Sequence, residues 1–215
     1  MQFRHFFWDF DGTLFDTYGR VSRAIQKALL DLGVQADVKE IYPLARRENI
    51  RRPYFVFAEK KGISLADYNA AYARHAEEEG PGSIQPFPGA KEMLEAVIRM
   101  GGKNYLYTHR DHSGVEAVAA CGMGACFTDY VTKEDGFPGK PAPDALLHLM
   151  KKHGLKAEEC IMIGDRTIDL DAGKNAGMAC ALFDPDHLAL PYDTPWKYHD
   201  FEAMRLHMTA EALPR

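Results

Sequence analysis

Apolar positions along the chain follow two alternating rhythms. Phe6, Phe7, Trp8 and Phe10 form a dense run inside HFFWDFDGTLFDT (residues 5–17), which predicts a first strand over about 3–10 headed for the interior. Val21, Ala24, Ile25, Ala28, Leu29 and Leu32 then recur at intervals of three and four, one stripe of a helix stopped by Gly33. From residue 38 to residue 79 helical spacings continue, as in Leu65, Tyr68, Ala71 and Tyr72, without a convincing strand, so this stretch predicts an all-helical insert. PGSIQPFPGA (81–90), punctuated by Pro81, Pro86 and Pro88, reads as a connection between units.

Beyond it the rhythm changes. A helix carrying Met93, Leu94, Val97 and Ile98 ends at Gly101, and strands over 104–108, 127–131, 160–163 and 179–183 alternate with helices over 115–121, 144–153 and 168–176. Such alternation predicts an α/β fold, a Rossmann-like parallel sheet with helices on both faces. The expected core is 1–15 and 85–215, with 16–84 inserted as a small all-helical domain. The polar, proline-bearing stretch from Asp184 onward receives no element, and no internal repeat is found.

Ligands of open parallel sheets bind beyond the carboxyl ends of the strands, and polar residues recur there: Asp9 and Asp11, then Thr108, then Asp165, with Lys140 in a loop of the same series. On an extended chain, residues two apart project to the same side, so Asp9 and Asp11 are expected close together. Paired carboxylates at an apolar strand end are costly unless a cation or proton offsets them. With Asp165 added, the oxygen-rich set suits a hard cation such as Mg2+. Gly12 and Thr13 are placed for backbone N–H groups to approach an anion. Lys140, its loop stiffened by Pro141, supplies positive charge for phosphate oxygens, and the Thr108 hydroxyl a hydrogen bond to the same group. These parts compose a phosphoryl-transfer site.

Composition narrows the setting. A net charge of -5 and a pI near 6.0 give no electrostatic case for nucleic-acid binding. Cys121, Cys126, Cys160 and Cys180 form no CxxC pair and lie in apolar or helical segments, so buried free thiols and a reducing cytoplasm are expected. No apolar run approaches the ~20 residues that span a bilayer, which excludes a helical membrane anchor from the expectation.

Four separated stretches, WDFDGT (8–13), YLYTHR (105–110), GKPAPD (139–144) and GDRTID (164–169), resemble in order the motifs of the haloacid dehalogenase superfamily of phosphohydrolases. The resemblance implies Asp9 as nucleophile, forming an aspartyl-phosphate, and Asp11 as general acid and base. It implies Mg2+ held by Asp9, the Asp11 backbone carbonyl and Asp165, while Asp169 steadies a metal-bound water or the Lys140 ammonium. Thr108 and Lys140 would bind the phosphate. His109 departs from the small or amide residue expected after Thr108; it either narrows the phosphate entrance or uses only its backbone N–H. His109 and His112 lack a third ligand at suitable spacing for a transition metal.

The insert resembles the helical cap of the phosphoglycolate-phosphatase-like branch, which implies that it selects substrate. Arg46 and Arg47, and also Arg51 and Arg52, are then candidates for a second anionic group, against the plainer reading of a solvated charged face. An aspartate at position 11 argues against a true dehalogenase or phosphonatase. The expectation is a Mg2+-dependent phosphatase acting on a small phosphorylated metabolite such as phosphoglycolate or a sugar phosphate, as a monomer or homodimer. A phosphomutase, or a binding module without turnover, is the alternative.

Overall fold

The computed structural model describes residues 3–78, 84–188 and 191–210; residues 79–83, which include the start of the predicted connection, lie outside the described residues. The chain divides into two compact units, one formed by 16–85 and the other by 1–15 with 86–215.

In the larger unit a six-stranded sheet is built from β1 (His5–Trp8), β2 (Lys103–Tyr107), β3 (Phe127–Val131), β4 (Cys160–Gly164), β5 (Ala179–Phe183) and β6 (Trp196–Tyr198), in the order β3-β2-β1-β4-β5-β6. Every pairing is parallel, with Trp8 opposite Leu106 on one side and Ile163 on the other. Phe6, Phe7 and Trp8 are all buried, as are all five residues of β4, because parallel strands are covered on both faces. Phe7, Tyr105 and Met162 pack against Leu146 and Leu149 of α6 (Asp144–His153) and Ala172 of α7 (Thr167–Asn175). On the opposite face Trp8 meets Phe201 of α8 (Phe201–Ala210), ring centroids 6.0 Å apart.

That second face also carries a buried polar clamp. Trp8 Nε1 donates to Asn104 Oδ1 at 2.9 Å, while Asn104 Nδ2 donates to the carbonyls of Leu94, at 3.0 Å, and Cys126, at 3.1 Å. Leu94 belongs to α4 (Ala90–Arg99), so one fully buried amide ties the helix to the sheet with its hydrogen bonds satisfied.

The stretch left unassigned supplies β6 and α8. Phe201, Met204 and Met208 are buried, and the Phe201 ring stacks on Phe183 at 4.5 Å. Burial of such a side chain contributes on the order of 1.5–3 kcal/mol, so this tail is part of the core.

The smaller unit is helical: α1 (Tyr18–Asp31), α2 (Val38–Arg47) and α3 (Leu65–Glu78), with a π-helical turn over Tyr54–Ala58. Asp37 caps α2 by accepting from Lys39 N at 2.8 Å, and Glu40 returns the bond to Asp37 N at 3.1 Å. The predicted stripe is the buried one in α1, where Ala24, Ile25, Ala28 and Leu29 are fully enclosed and Ile25 and Leu29 pack with Ile41, Tyr54 and Tyr68. Cys126, Cys160 and Cys180 are buried and free, but Cys121, just past α5 (Ser113–Ala120), is half exposed, which corrects the expectation that all four are enclosed. No helix among the described residues is long and apolar enough to cross a membrane.

Candidate active site

Strand order reverses between β1 and β4, and the chain leaves the carboxyl ends of these two adjacent strands at Asp9 and Asp165. Such a switch point is where doubly wound sheets open a crevice. Asp9, Asp165 and Asp169 are all buried there, with one carboxylate oxygen from each lying within 4.8 Å of the others. Asp169 stands in the first turn of α7 and accepts from Arg166 N at 3.1 Å. Gly164 makes room for it: a methyl at that position would lie 2.2 Å from Asp169 Cβ.

The Lys140 side chain is completely enclosed; its ammonium bonds Asp9 Oδ1 and lies 2.8 Å from Asp169 Oδ1. The same nitrogen sits 4.6 Å above the ring of Tyr107, the last residue of β2. Burial opposes its charge, yet Asp169 and Asp9 together outweigh that penalty and raise its pKa, so it is an ammonium throughout the physiological range. Burial first, and then the charge of Asp169, push Asp9 up to about 6 despite the opposing pull of Lys140. For Asp169 burial is also the largest influence, but Lys140 and Arg166 overcome it and hold its carboxyl below the usual value. The two carboxylates are thus displaced in opposite directions, Asp9 upwards and Asp169 downwards.

Asp11 is not beside Asp9 in the way an extended chain implies. The strand stops at Trp8, and a turn follows in which Gly12 adopts φ 78, a left-handed conformation suited to glycine. Gly12 N donates to the Phe15 carbonyl at 2.8 Å and Thr13 N reaches the Phe10 carbonyl at 3.4 Å, so in this conformation both amides serve the turn instead of an anion. The Thr13 hydroxyl donates to Asp9 Oδ2 at 3.3 Å. The Asp11 carboxylate is instead chelated by Arg110: Nε donates at 2.9 and 3.1 Å and Nη2 at 2.7 Å. Its side chain is thus outside the three-carboxylate cluster, which corrects the expectation that the Asp9 and Asp11 carboxylates sit together; the metal-ligand role the resemblance implies for Asp11 is that of its backbone carbonyl, which this does not touch.

Thr108 follows β2 and is buried; its hydroxyl oxygen accepts from Arg110 N at 3.0 Å. His109 Nε2 accepts from Lys140 N at 2.9 Å, which leaves the ring proton on Nδ1. Burial, reinforced by the Lys140 charge, pushes His109 down to about 4, so the ring is neutral. Its side chain tethers the lysine loop, a role that neither expected reading of His109 contained. Three further contributors, Arg110, Tyr107 and Gly164, sit inside or beside the motifs, but their partners are distant in sequence.

The arginines of the smaller unit separate. Arg46 is 1% exposed and lies with its guanidinium 5.2 Å over the Tyr18 ring. Arg47 is exposed, as are Arg51 and Arg52, the last paired with Glu48 at 2.9 Å.

The family model for haloacid dehalogenase-like hydrolases matches residues 3–177. The chain belongs to that family. It is 32% identical over 192 residues to a phosphoglycolate phosphatase of Vibrio parahaemolyticus, covering 82% of this chain and 80% of that one. A 5'-nucleotidase of Pseudomonas aeruginosa is 28% identical, covering 84% and 82% of the respective chains. The fold matches that of a HAD family hydrolase from Deinococcus radiodurans solved with bound phosphate and sodium, at a TM-score of 0.80, 18% identity and coverage of 98% and 97%.

Proposed function

We propose that this chain is a Mg2+-dependent phosphatase that hydrolyses a small phosphorylated metabolite of the phosphoglycolate kind, with Asp9 as nucleophile. The observation that carries this reading is the setting of Asp9: buried, bonded through one oxygen to Lys140 and through the other to Thr13, and grouped with Asp165 and Asp169. The named activities of its relatives, phosphoglycolate phosphatase and 5'-nucleotidase, belong to the same class of ester chemistry.

The site fits a dication. Its donors are all carboxylate oxygens, and Asp9 is raised by burial first and then by the Asp169 charge, both of which a bound cation would offset. Asp9, Asp165 and Asp169 would hold Mg2+, which when bound spreads the negative charge of the phosphoryl oxygens.

The remaining chemistry is assigned to the chain's own groups. An Asp9 oxygen attacks phosphorus, forming an acyl-phosphate bond as the P–O ester bond breaks, and Asp11 gives the leaving oxygen its proton. Asp11 then takes a proton from a water whose oxygen attacks phosphorus and releases Asp9. Lys140 holds its ammonium against Asp9 and Asp169, and its charge beside the attacking Asp9 oxygen offsets the negative charge of the phosphoryl group. The Thr108 hydroxyl accepts from Arg110 N and keeps its own proton for the same group. Residues 16–84 are assigned the role of a substrate-selecting cap, and the free thiols suit a cytoplasmic enzyme.

Phosphate release from 4-nitrophenyl phosphate and from phosphoglycolate, with Mg2+ and then with excess EDTA, tests this reading. Release should require Mg2+ and vanish in Asp9→Asn. A fully active Asp9→Asn enzyme, or release indifferent to EDTA, would overturn it.

A further inference from the structure

The chelate between Arg110 and Asp11 poses a chemical problem. A general acid must reach the leaving oxygen, yet Asp11 is held by three hydrogen bonds from one guanidinium. When Asp11 swings to the ester, Arg110 loses the anion that matches its fork. We propose that Arg110 determines specificity: it exchanges Asp11 for a second anionic group, a carboxylate by geometry, carried on the alcohol half of the substrate ester. This rests on the reading of Asp9 as nucleophile and Asp11 as acid and base.

Three features of the structure support the exchange. The contact is a fork against a carboxylate, so a substrate carboxylate is the closest chemical replacement for the partner already bound. The pair is reachable, because the side chains of Arg110 and Asp11 are 26% and 30% exposed, whereas Lys140, the other cation of the site, is fully enclosed. Finally, Arg110 is anchored independently of Asp11. Its amide donates to the Thr108 hydroxyl at 3.0 Å, its carbonyl accepts from Lys133 N at 2.8 Å, and its guanidinium lies 5.0 Å over the Phe10 ring. The fork therefore stays in place when Asp11 departs, next to the phosphate-binding Thr108.

A neutral ester makes Asp11's departure strand a partly buried cation, while an acid-bearing ester covers it. Hydrogen bonds to charged groups are worth about 1.5–3 kcal/mol, so acid-bearing esters should be preferred by about tenfold to a hundredfold. The cation that reads the acid then comes from the unit that performs the chemistry, in addition to anything the helical unit selects.

Titration calorimetry on Asp9→Asn protein in Mg2+ tests the proposal without turnover, using phosphoglycolate and ethyl phosphate, which lacks the carboxylate. Phosphoglycolate should bind at least about tenfold tighter than ethyl phosphate, in line with the charged hydrogen bonds it gains. Adding Arg110→Met should erase most of that ratio, and Arg110→Lys should restore part of it as a point charge without the fork. The proposal is overturned if the ratio is absent, if it survives Arg110→Met, if both ligands weaken equally, or if Arg47→Met removes it instead. Failure of the nucleophile reading would appear separately, as turnover by the Asp9→Asn protein.

Discussion

Replacing Asp9 by Asn should stabilise the metal-free protein while abolishing turnover. Burial, then the neighbouring Asp169 charge, raise Asp9 from 3.8 to about 6. A carboxyl with a raised folded pKa binds more protons folded than unfolded between those two values. Its contribution to stability is therefore full below pH 3.8 and lost as pH climbs through about 6. At 1.36 kcal/mol per pKa unit the difference amounts to ~3 kcal/mol, the cost of an ionised Asp9 near pH 8. Asparagine removes that cost and keeps an oxygen to accept from Lys140, so a gain of about 2 kcal/mol is expected, or roughly 4–8 °C in Tm for a chain of this size. Both tryptophans, Trp8 and Trp196, lie in the larger unit, so their fluorescence during urea or thermal unfolding reports the right body. In EDTA the gain should be largest at pH 8 and should shrink towards nothing at pH 4. Adding Mg2+ should raise the Tm of the parent protein more than that of the variant, which has lost a ligand. A variant no more stable than its parent at pH 8, or a gain indifferent to pH, would refute the argument that burial and the Asp169 charge penalise an ionised Asp9.

Asn104→Leu strips the hydrogen bonds from Trp8, Leu94 and Cys126 inside the core and should cost about 2–4 kcal/mol in urea unfolding; a loss below about 1 kcal/mol would contradict the clamp. Gly164→Ala forces Asp169 to move and should lower kcat at least about a hundredfold, with parallel loss of about 1–3 kcal/mol of stability; near-normal kcat would show that the close approach is unimportant. His109 is neutral with a pKa pushed down to about 4 by burial and then Lys140, so it makes folding acid-sensitive: stability is lost as pH falls from 6.5 towards 4. His109→Phe should flatten that part of the stability profile and lower kcat by loosening the Lys140 loop, and an unchanged profile would remove His109 from the account.

The parts of this molecule that were legible in its sequence are those whose signal is local. The strand-helix alternation from Lys103 to Phe183 places each element within a residue or two, because each carries its own periodicity and its own terminating glycine or polar residue. The acidic and basic positions were findable for a related reason: each motif follows a strand, and parallel strands deliver their ends to one edge of the sheet. What escaped depends on partners far away in the chain. β6 has three residues, too few to announce a period, and is a strand because Ala181 to Phe183 are there to pair with it. The spacing of Phe201, Met204 and Met208 does carry a helical signal, obscured by the polar, proline-bearing stretch before it. Asp9 and Asp11 were expected side by side because two residues along a strand face the same way. That inference fails one residue past Trp8, where the turn at Gly12 begins and an arginine 99 positions from Asp11 supplies its partner. His109 was read as a phosphate neighbour, yet its ring meets an amide 31 positions later. Periodicity thus locates a carboxylate or an imidazole along the chain, but what each group does is decided by the counter-charge or donor that the fold brings to it. For Asp9, Asp11 and His109 those are Lys140, Arg110 and the Lys140 amide, all from segments that follow other strands of the sheet.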